Sequence, residues 1–111
     1  MALSSRDHYD ALLNELNEER AAALMRISKK LEELIDRLRG VREQLPSLAA
    51  HQRDHAVREY EQLREEAKKY RWYLEVQREA VGLRNHRSLD EFYAVPDQLP
   101  MPNSQLPTNP D

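Results

Sequence analysis

His51 and His55 stand four residues apart, and Glu59 follows after a further turn. Positions four apart share one face of an α-helix, so this set has the spacing with which helical metal sites present their ligands. The neighbouring residues weaken that reading. No His-Glu-x-x-His occurs, because Gln52 and Arg53 follow His51 and Asp54 precedes His55; no Glu-x-x-His occurs anywhere. A ferritin-like di-iron centre is therefore not expected, and two solvent-facing histidines are. His8 and His86 are the remaining histidines. With Asp90 or Glu91 close in sequence, His86 has the ingredients of an acid–base pair, but no Ser, Cys or Lys nucleophile stands in a motif beside either. Surface or capping roles are the expectation. No catalytic residue, metal ligand or cofactor is assigned.

A denser signal lies between Tyr70 and Pro96. This stretch holds the only Trp, the only Phe and three of the five Tyr. Tyr70, Trp72, Tyr73, Val76, Leu83, Phe92 and Tyr93 make up an aromatic and aliphatic set of the kind that dominates binding energy at protein interfaces. Arg64, Lys68, Lys69, Arg71, Arg78, Arg84 and Arg87 run through the same region, with Glu65, Glu66, Glu75 and Glu79 interleaved. Basic residues among aromatics are also how single-stranded nucleic acid is held. The aromatics nevertheless fall at helical spacing, where packing is their ordinary use.

Two long helices must position these residues. No proline interrupts the chain before Pro46, and Ser4, followed by Asp7, has the form of a weak capping box. From Leu24 the apolar positions run Ile27, Leu31, Leu34, Leu38, Val41 and Leu45, alternating by three and four, which is a heptad seam. Upstream, Tyr9, Leu13 and Leu16 continue the apolar pattern less regularly. Arg20 interrupts it and Ala21, Ala22 and Ala23 offer a small-residue surface, a stutter that locally unwinds a supercoil. Glu33 and Arg37 are spaced to pair on the exposed face. Pro46 ends the helix, Ser47 is the candidate N-cap of the next, and so short a link predicts an antiparallel hairpin. The second seam is Ala56, Tyr60, Leu63, Ala67, Tyr70, Leu74, Gln77 and Val81. Trp72, Tyr73, Val76, Ala80 and Leu83 broaden its last third into a second apolar face, which needs a second partner. Gly82 followed by Leu83 reads as a Schellman cap. Ser88-Leu89-Asp90-Glu91 reads as a capping box opening a short helix, expected to fold back on Trp72, Tyr73 and Val76 or on a partner. Five of the six prolines follow Val95, so residues 96–111 are expected to be a disordered tail.

The predicted fold is all-α: an antiparallel coiled-coil hairpin occupying residues 1–95, with helices at about 5–45, 48–81 and 89–94, the third at the open end, and a Pro-rich flexible tail over 96–111. Composition excludes several functions. Without cysteine there is no disulfide, thiolate catalysis or Cys-ligated zinc, and two isolated glycines make no phosphate-binding loop. A net charge of -3 gives no general attraction to nucleic acid or anionic membrane. The N-terminus lacks the apolar run of a signal peptide and no membrane-spanning run occurs, so a cytoplasmic protein is expected. The reading is a non-enzymatic protein–protein interaction module, a scaffold, adaptor or assembly subunit. It would bind another protein through the aromatic open end, a second copy of itself, or both. The alternative is a nucleic-acid-associated accessory protein using the basic face of helix 2.

Overall fold

The proline-free run becomes one helix in the computed structural model, which describes residues 5–99. The elements are α1 (Ser5–Gln44), α2 (Ala50–Ala80) and α3 (Arg87–Phe92), with a 3-10 turn at Leu45–Ser47. No strand occurs among the described residues. The cap expected at Ser4, and the tail from residue 100 with Met101 and Leu106, lie outside them.

The 3-10 turn carries Pro46, and the extended backbone of Leu48 and Ala49 (ψ 145° and 159°) then redirects the chain. Ser47 does not cap α2. Its hydroxyl donates to the Gln44 carbonyl at 2.8 Å, which serves the end of α1 instead. The extended pair moves the start of α2 beyond the reach of Ser47. There the Gln52 side-chain oxygen accepts the Ala49 N–H at 3.1 Å. Arg37 approaches Glu59 at 3.8 Å, and Arg20 and Gln77 line one groove further along, so α1 and α2 run in opposite directions as a helical hairpin. Arg37, expected to pair along its own helix, thus reaches across to α2. Both partners are exposed, and such a pair contributes little stability.

The core follows the seams. Leu31, Leu34 and Leu38 of α1 and Tyr60, Leu63, Ala67 and Leu74 of α2 are buried, with Leu24, Ile27, Val41 and Tyr70 packed around them. Ile35, beside the seam rather than on it, is buried as well. The cause is a third layer. The Tyr93 hydroxyl donates to Glu32 on α1 at 3.4 Å, and Arg71 on α2 pairs with Asp90. These contacts hold α3 against the groove between the long helices, where Leu89 is buried in the core.

Gly82 sets up this return. Its φ is +90°, the left-handed region that glycine enters without penalty. The Leu83 N–H donates to the Arg78 carbonyl and the Gly82 N–H to the Glu79 carbonyl, at 2.9 and 3.0 Å, which is the full Schellman pattern. Ser88, by contrast, lies inside α3 rather than capping it. The helix begins after His86, and the Asn85 side-chain oxygen accepts the Arg87 N–H at 3.0 Å. Asn85 reaches the first helical N–H from two residues upstream, so the helix starts before the Ser-x-x-Glu sequence.

Beyond α3 the chain stays on the hairpin through Leu99. The Tyr60 hydroxyl donates to the Asp97 carbonyl at 2.6 Å, and Arg64 Nε donates to the Pro96 carbonyl at 3.0 Å. Val95 and Leu99 pack on the core. The departure expected at Pro96 therefore does not occur there.

The two glycines give opposite predictions. A Cβ at either would meet nothing within 4 Å, so only backbone preference counts. Gly82→Ala forces a side chain into the left-handed region and is expected to destabilise by about 1–2 kcal/mol. Gly40→Ala, inside α1, is expected to stabilise by about 0.5–1 kcal/mol. Urea unfolding of both variants checks the pair. Equal shifts would contradict the Schellman assignment.

Candidate interaction surface

The helix period decides where the aromatic set goes. At about 100° per residue, Tyr70 lies beside the Leu74 seam, Tyr73 further round, and Val76 and Trp72 on the far side of α2. The structure bears this out. Tyr70 is half-buried against the core, whereas Trp72 is 59% exposed and Tyr73 and Val76 are exposed. The three rings form a chain. Tyr70 meets Tyr73 edge to face with centroids 5.6 Å apart, and Tyr73 meets Trp72 at 5.6 Å with planes tilted by 55°. Such pairs contribute about 0.5–1.5 kcal/mol beyond their burial. The Lys69 ammonium lies 5.7 Å from the Tyr70 centroid, within cation–π range. A rigid aromatic strip thus runs from the core to the outer face of α2.

The cover expected for this strip is elsewhere. On α2, Arg71 and Arg64 hold α3 and the segment after it. By the helix period, both lie on the opposite edge from Tyr73. Leu89 and Tyr93 enter that edge, while Phe92 is 72% exposed on α3. The seven residues therefore do not form one continuous cluster. Tyr70, Trp72, Tyr73 and Val76 share one side of α2, Phe92 and Tyr93 belong to α3 on the other, and Leu83 is exposed in the turn between them.

The basic residues are largely engaged within the chain. Arg64 donates to Pro96, Lys68 pairs with Glu65 at 3.3 Å, Arg71 pairs with Asp90 and lies 3.8 Å from Glu75, and Arg78 donates to the Asn85 carbonyl at 3.0 Å. Three of these side chains, Arg64, Arg71 and Arg78, thus brace the C-terminal return, while Lys68 pairs within α2. Lys68 and Arg71 meet carboxylates, whereas Arg64 and Arg78 donate to backbone carbonyls.

The histidines stay apart. His51 and His55 are exposed near the hairpin turn, and His8 is exposed at the start of α1. His86 Nε2 lies 3.0 Å from Glu79, while Asp90 is taken by Arg71. Among the described residues no group of three or more His, Asp or Glu side chains is gathered that could hold a metal ion. No helix among them is long and apolar enough to cross a membrane.

The start of α1 is a further exposed apolar face. Every residue from 5 to 19 is exposed. The register that sets Arg20 beside Gln77 leaves α2 ending roughly opposite residue 17, so α1 projects beyond its partner. Leu13 and Leu16 are each 41% exposed, and Tyr9 and Leu12 more so. The signal was present in the i, i+3, i+4, i+7 spacing of Tyr9, Leu12, Leu13 and Leu16. It reads as core until the length of α2 is known. Comparison with protein-family models, curated proteins and solved structures finds no match for this chain.

Proposed function

We propose that this chain is a non-enzymatic protein–protein interaction module, an adaptor or assembly subunit, whose hairpin displays the Trp72–Tyr73–Val76 face of α2 to another protein. One observation carries the reading: the aromatic strip is fixed to the core through Tyr70 yet left uncovered, while the chain's own third helix occupies the opposite edge. Rigid, part-exposed aromatics lose little entropy on binding and are the common anchors of interfaces. Leu83 extends the apolar face at the open end. Phe92, with Tyr93 beneath it, would make a second, smaller contact on α3. The alternation of three and four in both seams supports coiled-coil packing of the hairpin.

The test is capture from native lysate by the full-length chain, wild type against Trp72→Ala, repeated from about 50 to 200 mM salt. Apolar docking should survive that range, whereas contacts to several phosphates should weaken by orders of magnitude. Loss of a captured protein on Trp72→Ala, with retention in salt, supports the reading. Salt-labile capture of nucleic acid by both forms would replace it.

A further inference from the structure

We propose that the return after the Gly82 cap, residues 84–99, is a strap that lifts off the hairpin while α1 and α2 stay paired. The inference concerns the edge opposite the Trp72 face and stands on different residues.

Backbone bonding sets where the chain can part. The Leu83 N–H is the last to donate to a backbone carbonyl of α2. Beyond it, among the described residues, no backbone–backbone hydrogen bond joins the return to either long helix. The Leu89 and Tyr93 N–H groups donate to the carbonyls of His86 and Leu89, within the return itself. The long helices therefore keep their backbone bonds when the strap leaves. Its polar ties run instead through hairpin side chains, such as Arg71 to Asp90, Arg64 to the Pro96 carbonyl and Tyr60 to the Asp97 carbonyl. Ties of this kind exchange for water at small net cost.

Burial points the same way. Of residues 84–99 only Leu89 is fully buried, with Tyr93, Val95 and Leu99 half-buried against the core. A segment with so few buried apolar contacts opens at lower free energy than the core beneath it. The hinge is unobstructed as well. Gly82 is exposed, and a Cβ there would meet nothing within 4 Å. Lifting the strap uncovers Ile35, one turn from the Glu32 carboxylate that receives the Tyr93 hydroxyl. Closed, the strap masks an apolar edge of the hairpin. Open, it leaves that edge bare on a folded pair of helices.

The chain has no cysteine, so a single introduced thiol reports its own exposure. Ile35→Cys places the thiol under the strap. Leu34→Cys, one residue away, places it in the seam, where a reagent arrives only when the long helices part. Reaction with a small disulfide reagent follows the population of the open form when closing is fast. Ile35→Cys should react at least about 100-fold faster than Leu34→Cys. Its rate should also rise less steeply with urea, because the slope scales with the surface exposed. The wild type gives the same reading without substitution: amide exchange at Tyr93 should depend weakly on urea, and at Leu63 in the middle of α2 steeply. Thiol rates within a few-fold of each other, or equal urea slopes at the two thiols, would overturn the proposal. So would equal urea slopes for the Tyr93 and Leu63 amides.

Discussion

Replacing Tyr60 by alanine is expected to cost about 3–5 kcal/mol of folding stability, the range for removing a large buried ring. Tyr60 is among the largest fully buried side chains, and it joins the three layers of the fold. Its ring packs in the seam between α1 and α2, and its hydroxyl holds the Asp97 carbonyl at 2.6 Å. A domain of this size has only about 5–15 kcal/mol in total. The melting temperature should therefore fall by more than about 12 °C, at roughly 4–8 °C per kcal/mol. Tyr60→Phe separates the two roles. It keeps the ring and removes the hydrogen bond, with an expected loss of about 1 kcal/mol. Faster amide exchange confined to residues 94–99 should accompany it. If Tyr60→Ala changed stability by less than 1 kcal/mol, the three-layer core would be wrong.

That third layer marks the limit of what residue spacing specifies. A heptad pattern specifies how two helices meet, so Leu31, Leu34, Leu38, Leu63, Ala67 and Leu74 were legible from spacing alone. Ile35 was not, because its burial depends on a segment far along the chain rather than on its own helix. The Gly82 cap was legible, since two backbone hydrogen bonds and one left-handed residue define it. The side of the hairpin to which the chain then returns was not. That choice is made by Arg71 with Asp90, Glu32 with Tyr93 and Tyr60 with Asp97, all pairs distant in sequence. Any of these residues, read alone, is an ordinary surface or seam residue. The same limit explains the candidate surface. Spacing identified Trp72, Tyr73 and Val76 as a second face, but which edge α3 would cover was invisible.

The second large effect follows from that uncovered face. Trp72→Ala is expected to weaken the bound partner by at least about 2 kcal/mol, close to thirtyfold, the scale of an aromatic hot spot. Folding stability should change by less than about 1 kcal/mol, because the ring is 59% exposed and its loss opens no cavity. Tyr73→Ala should show a similar loss of binding, since its ring fixes that of Trp72. Phe92→Ala is the contrast. Phe92 is more exposed still, but it stands on α3 apart from the strip, and its removal should change the affinity only a few-fold. Isothermal calorimetry with the captured partner reads all three. Equal losses at Trp72 and Phe92 would mean that the partner spans both edges of the hairpin.

The most direct measurement is the capture experiment itself, made with the folded full-length chain and its Trp72→Ala variant side by side. The predicted result is a protein retained by the wild type at both low and moderate salt and absent from the variant, while the two melt within a few degrees of each other. Identical retention by wild type and variant would contradict the account, whatever was retained.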